Sequence, residues 1–147
     1  MRALIQRVTE AGVRVDGEQI AAIGPGLLIF LGVTHGDTKT GADWLAEKAA
    51  GLRIFGDAAG KMNLSLLESG GEALVVSQFT LYGDCSKGRR PGFDQAGPPD
   101  LANELYEYFK AQLAAKNIRV ASGRFAAHME VALVNDGPVT FILDTPQ

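Results

Sequence analysis

Cysteine occurs once, at Cys85, so no internal disulfide can form, and such usage points to an intracellular, cytoplasmic compartment. Histidine occurs twice, at His35 and His128, with no zinc-type spacing around either. There is no Gly-x-Ser-x-Gly elbow, and sequence alone places neither histidine beside a serine or threonine nucleophile. Gly56-Asp57-Ala58-Ala59-Gly60-Lys61 falls one residue short of a phosphate-binding loop, and Met62 stands where Ser or Thr is needed. A basic excess is also missing. The net charge of −3 argues against an extended nucleic-acid groove, although a protein that holds only one end of a nucleic acid needs no more than a local field. The most apolar run, Leu27 to Val33, is too short to span a bilayer, and Met1 to Val8 reads as a strand rather than a leader.

What is present suits a globular protein. The 147 residues are 46% hydrophobic and 21% charged, enough for a core in one domain covering residues 1–147. Residues 2–9 and 12–15 read as strands, and Asp16-Gly17 is a hairpin signal before Gln19-Ile20-Ala21. Leu27 to Val33 reads as a buried strand. A helix follows, with Asp37 or Thr38 as cap, Ala42, Leu45, Ala49 and Leu52 at helical spacing, and Gly56 at its end. Residues 55–72 read mostly as loop, and 73–81 as an interior strand. Residues 83–99 read as a long ordered loop carrying Lys87, Arg89 and Arg90. A second helix starts near Pro98–Asp100, burying Leu101, Leu105, Tyr108, Phe109 and Leu113, and ends near Lys116-Asn117. Strands at about 118–122, 128–134 and 139–144 close the chain. The pattern predicts an α+β, sheet-rich fold with two main helices and mixed or antiparallel strands.

Two segments carry chemistry. Ser77-Gln78-Phe79-Thr80-Leu81 closes an apolar strand. It reads either as a strand that tolerates polar residues or as a site, where Gln78 needs a partner and backbone N–H groups face a developing oxyanion. Asn135-Asp136-Gly137-Pro138-Val139-Thr140 reads either as a hairpin turn or as a special Gly-Pro bond whose carbonyls face a ligand. Lys87 to Pro91 is either a solvated loop or a phosphate grip. Phe125 and Met129 are either core residues or the walls of a slot for a flat ring.

The Ser-Gln-x-Thr block at Ser77 to Thr80, together with the Asn-x-Gly-Pro-Val-Thr block at Asn135 to Thr140, resembles the D-aminoacyl-tRNA deacylases, which remove D-amino acids from tRNA. Supporting stretches run in order through Ile5–Val8, Leu28–Asp37, Lys61–Ser65, Gly88–Pro91 and Phe125–Met129. The resemblance implies hydrolysis of the ester between a D-amino acid and the terminal adenosine ribose of tRNA, with no metal and no cofactor. It places the reaction surface at Ser77, Gln78, Phe79 and Thr80. It implies a homodimer with sites at the subunit interface, where a cis Gly137-Pro138, held by Arg7, enters the partner's pocket and excludes an L side chain. Phe125, Ala127 and Met129 would border the adenosine, and Arg89 and Arg90 would meet phosphates. Two departures stand out: Ala126 where the family is expected to carry Gly, and Gly92 where Ser is common. Two other functions suit the same residues: a module that binds nucleotides or tRNA ends without turnover, and an esterase for small D-amino acid esters.

Overall fold

The computed structural model describes residues 1–146. A 14-residue strand β1 (Arg2–Val15) runs unbroken where two short strands were expected. It turns through Asp16-Gly17, both at positive φ, into β2 (Glu18–Ile23), with Val15 opposite Glu18. Strand β3 (Gly26–Gly32) pairs with β1 antiparallel and β6 (Glu72–Ser77) pairs with β3 in parallel, so the sheet is mixed. Helix α1 (Lys39–Gly51) lies in the crossover between them. Helix α3 (Pro99–Ala114) lies in the crossover from β6 to β7 (Val120–Ser122), again a parallel pair. Both main helices thus serve parallel crossovers, although their spacing in the chain shows no regular βαβ rhythm.

The apolar runs in β3 and β6 follow from burial on both faces. Leu27, Ile29, Leu31, Ala73 and Val75 pack towards α1 and α3, against Leu45, Ala49, Leu105 and Phe109. Leu28, Leu74 and Val76 alternate onto the opposite face, where Val8, Ala11, Val13 and Ile23 cover them. Strand β1 serves both faces because a bulge at Thr9 shifts its alternation: Ala3 and Ile5 face the helices, and Val8, Ala11 and Val13 face the other core.

Helix α1 stops at Gly51 rather than Gly56, because Phe55-Gly56 is taken into a two-residue strand β4. Strand β4 pairs with β5 (Met62–Leu64), and a one-turn helix α2 (Leu66–Ser69) follows, so residues 55–72 are more ordered than expected. The short helix holds by a reciprocal cap: Glu68 N donates to Ser65 Oγ at 3.1 Å, and Ser65 N donates to Glu68 Oε1 at 3.0 Å. The near-miss phosphate loop is the β4–β5 connection, closed by Asp57 Oδ1 accepting from Ala59 N and Lys61 N, both at 2.9 Å.

The last strand departs most from expectation. Residues 128–134 and 139–144 belong to one strand, β8 (Glu130–Asp144), antiparallel to β1 along nearly its whole length. The Gly-Pro segment is therefore a bulge within a strand and not a hairpin turn.

Candidate functional site

Strand β6 ends at Ser77. Gln78 breaks the alternation, and Phe79–Tyr82 form a 3-10 turn, so Ser77, Phe79 and Leu81 do not share one strand face. Gln78 N still donates to Leu31 O at 2.8 Å, which anchors the turn to β3. The first bond inside the turn runs from Leu81 N to Gln78 O at 3.2 Å. The N–H groups of Phe79 and Thr80 precede that bond and so have no partner within the turn. The Gln78 side chain is half-buried and donates from Nε2 to Thr80 Oγ1. Its amide is thereby satisfied locally, and the Thr80 hydroxyl is engaged by an amide rather than a base.

A cavity of about 690 Å³ opens beside this turn. Ser77, Gln78 and Phe79 line one side, and Phe125, Ala126, Ala127, His128 and Met129 line another. Phe93 and the Ala96–Pro99 stretch complete the wall. Both histidines reach this cavity, which sequence spacing did not indicate. His35 Nε2 is paired with Asp94 O at 2.8 Å, and among the described residues no hydrogen bond joins either histidine to Ser77 or Thr80. The described residues hold no group of three or more His, Cys, Asp or Glu side chains suited to a metal ion.

The wall that carries Phe125 is held from below. Gly123 N donates to Val75 O at 3.1 Å, and Tyr106, a fully buried residue of α3, lies against Phe125 with ring centroids 6.0 Å apart. Burial pushes the Tyr106 phenol up to about 12, so it stays protonated at neutral pH. The helical pattern pointed to Tyr108. That residue instead sits half-buried with its hydroxyl donating to Asp43 Oδ1 at 2.7 Å.

The second block lies elsewhere. Thr140 pairs with Gln6 and Asn135 with Val8, so four residues, Asp136 to Val139, bulge opposite Arg7 alone. Asn135 repairs the broken ladder: its Nδ2 donates to Arg7 O at 2.9 Å and to Val139 O at 3.1 Å. Gly137 has φ 123°, a region open to glycine, and the Gly137-Pro138 peptide is cis. A Cβ at Gly137 would stand 2.8 Å from Val139 Cγ2 and 3.1 Å from Arg7 Nη2. Arg7 donates from Nη1 to Ile54 O at 2.7 Å, and its Nε lies 3.2 Å from Asp136 Oδ2 without hydrogen-bond geometry. Gly137 and Pro138 are exposed and take no part in lining the cavity of their own chain.

Thr80, Arg7, Arg89 and Arg90 also lie outside that lining. The two arginines sit in a loop pinched by the Asp84–Gly92 bridge, with bonds of 2.7 and 2.9 Å. Residues 83–99 are thus ordered as expected, and their exposed basic part projects outward.

No helix is long and apolar enough to cross a membrane among the described residues. Residues 4–144 match the family described as D-Tyr-tRNA(Tyr) deacylase. A protein of Geotalea uraniireducens (strain Rf4) named D-aminoacyl-tRNA deacylase is 62% identical over 147 residues, covering 100% of this chain and 95% of the relative. A solved structure named c-Myc DNA Unwinding Element Binding Protein superposes with a TM-score of 0.93 at 42% identity, over 100% of both chains. Another, described as "a probable eukaryotic D-amino acid tRNA deacylase", shares the fold at a TM-score of 0.85 and 18% identity, over 97% of both chains. With the family matched across nearly its whole length and a relative at this identity, the chain belongs to the D-Tyr-tRNA(Tyr) deacylase family.

Proposed function

We propose that this protein is a D-aminoacyl-tRNA deacylase: it hydrolyses the ester between a D-amino acid and the terminal adenosine ribose of tRNA, releasing both. The observation that carries the reading is the cavity. It brings the Ser77-Gln78-Phe79 segment to face Phe125, Ala127 and Met129, two parts of the chain nearly fifty residues apart. One supplies a polar reaction surface and the other a slot for a flat base. Residues 1–147 act as a single deacylase domain, without cofactor or metal, in the cytoplasm where charged tRNA is used.

An ester needs only a positioned water and a stabilised oxyanion. The amide N–H groups of Phe79 and Thr80 are the oxyanion donors, supported by their place at the start of the 3-10 turn. The ribose hydroxyl beside the ester helps activate the water. Thr80 is not a covalent nucleophile, since its hydroxyl accepts from Gln78 Nε2 and among the described residues no base is hydrogen-bonded to it.

Chirality is judged by exclusion at a dimer interface. The Gly137-Pro138 bulge of one protomer enters the partner's cavity, and its carbonyls leave no room for an L side chain. Support comes from the exposure of both residues and their absence from their own cavity. Among the described residues β8 pairs with β1 alone, which leaves a long sheet edge with Val134, Phe141 and Ile142 exposed on the strand. Arg7 sets the bulge from its place beside Asp136, with Nη2 filling the space a Cβ on Gly137 would need.

The test is ester loss from D-Tyr-tRNA, with uncatalysed hydrolysis and a small D-tyrosine ester alongside. Turnover of D-Tyr-tRNA supports the reading. Binding without turnover, or turnover of the small ester alone, overturns it.

A further inference from the structure

The cavity rim carries two aromatic rings that the adenosine slot does not use. Phe79 is 55% exposed and Phe93 is 41% exposed, and their centroids lie 5.1 Å apart at 63°. Single exposed apolar side chains are ordinary, but a contacting aromatic pair on a cavity lip is a ready surface for a flat partner. The pair is also held in place. Phe93 Cε1 lies 3.2 Å from the position a Cβ would take on Gly83, so the ring rests directly over that glycine. Phe93 follows Gly92 of the Asp84–Gly92 bridge, and its own carbonyl accepts from Ala96 N at 3.0 Å. Asp94 O is fixed by His35 Nε2 and Gln95 O by Thr34 Oγ1. A ring ordered before binding loses little entropy on stacking.

The charge beside it selects the partner. The bridge between Asp84 and Gly92 closes a loop carrying Lys87, Arg89 and Arg90, with Asp84 at its base and Asp94 just beyond it. The exposed Asp84 carboxylate is engaged within the loop, with Oδ1 accepting from Ser86 N at 2.9 Å. Arg90 stands three residues before Phe93, a reach of at most about 11 Å between their Cα atoms. An aromatic platform beside cationic side chains is the combination that holds single-stranded nucleic acid, through base stacking and phosphate contact.

We propose that the Phe79–Phe93 rim is a stacking platform for the nucleobase that precedes the terminal adenosine, with Phe93 as the ring next along the chain to the basic loop and Arg89 and Arg90 meeting the adjoining phosphates. This rests on the deacylase reading above and adds a second base to it. The platform reads no sequence, because every base has a π-face. It gives the enzyme a grip on a polynucleotide end that a lone aminoacyl-adenosine lacks.

The experiment compares wild type, Phe93→Ala and Phe93→Trp on two substrates, D-Tyr-tRNA and D-tyrosyl-adenosine, with KM and kcat determined separately. Binding of the uncharged trinucleotide cytidylyl-cytidylyl-adenosine and of adenosine is measured in parallel. Loss of one stacking contact predicts that Phe93→Ala raises KM for D-Tyr-tRNA about 10-fold more than for D-tyrosyl-adenosine, with kcat little affected. Phe93→Trp restores the difference. Trinucleotide binding weakens by a similar factor relative to adenosine. Equal losses on both substrates and both ligands, or no loss on any, overturn the platform. Wild type that turns over neither substrate overturns the deacylase reading instead, and the two binding measurements then still decide the platform.

Discussion

Tyr106 Oη lies 3.3 Å from the carbonyl oxygen of Gly123, and the same hydroxyl lies 3.1 Å from Val75 O. Helix α3 thereby ties strand β6, which leads into Ser77 and Gln78, to the segment that leads into Phe125 and Met129. The two walls of the cavity share one buried phenol. Tyr106→Phe keeps the ring against Phe125 and removes the tie. The variant is expected to lose about 1 kcal/mol of stability. It is also expected to raise KM for D-Tyr-tRNA more than it lowers kcat, because the walls set substrate position. Thermal unfolding and steady-state kinetics check both.

The same residue sets a pH dependence. Burial raises the Tyr106 phenol to about 12, and Tyr82 is likewise raised to about 12, chiefly by burial. An unfolded tyrosine titrates near 10. Below about pH 10 both states are protonated and the contribution is fully present. Between about 10 and 12 the unfolded chain loses its proton first, so stability falls as pH rises. Denaturant unfolding across that window is expected to show a steeper decline for wild type than for Tyr106→Phe, with all other groups common to both.

Ala126 has φ 62°, a left-handed conformation in which a Cβ is unfavourable. The family resemblance led to an expectation of glycine here, and the backbone explains why. Ala126→Gly is expected to raise stability by about 0.5–1 kcal/mol, the relief of the left-handed strain outweighing the added freedom of the unfolded chain. Chemical denaturation of the two proteins measures it directly.

Gly137→Ala places a methyl 2.8 Å from Val139 Cγ2 in a conformation that L side chains rarely adopt. The expected cost is about 1–3 kcal/mol. If the bulge judges chirality, its displacement lowers the ratio of D-Tyr-tRNA to L-Tyr-tRNA hydrolysis. A destabilised variant that keeps the wild-type ratio contradicts that role.

Arg89 and Arg90 carry no ion pair among the described residues and project from the loop. Replacing both with Gln is expected to weaken tRNA binding more at low salt than at high salt, and to flatten the dependence of log affinity on log salt. Titrations over a salt series read the slope, and an unchanged slope removes phosphate contact from their role.

The sheet, both main helices and the hairpin at Asp16-Gly17 were legible because each has a local signal: alternation, helical spacing or a turn dipeptide. The Gly-Pro segment leaves two readings open in the sequence, a hairpin turn or a special Gly-Pro bond, because Asn, Asp, Gly and Pro together also signal a reversal; the cis bond agrees with the second. Only the pairing with β1 shows that the strand continues through a bulge, with the Asn135 side chain replacing ladder bonds. The end of β6 at Ser77 was hidden for the opposite reason: Phe79-Thr80-Leu81 has the composition of a strand, and contacts to β3 force it into a turn. The cap at Ser65 and Glu68 did have a signal, the Ser-x-x-Glu spacing. Tyr106 and Phe93 had none, since a buried phenol and a rim aromatic both look like core in one dimension.

The central claim is hydrolysis selective for one hand of the amino acid. The direct measurement is the initial rate of ester loss from D-Tyr-tRNA and from L-Tyr-tRNA at equal concentration, with each corrected for uncatalysed loss. The account predicts fast loss of the D form and no loss of the L form above background. Equal rates for both, or loss of neither, contradict it.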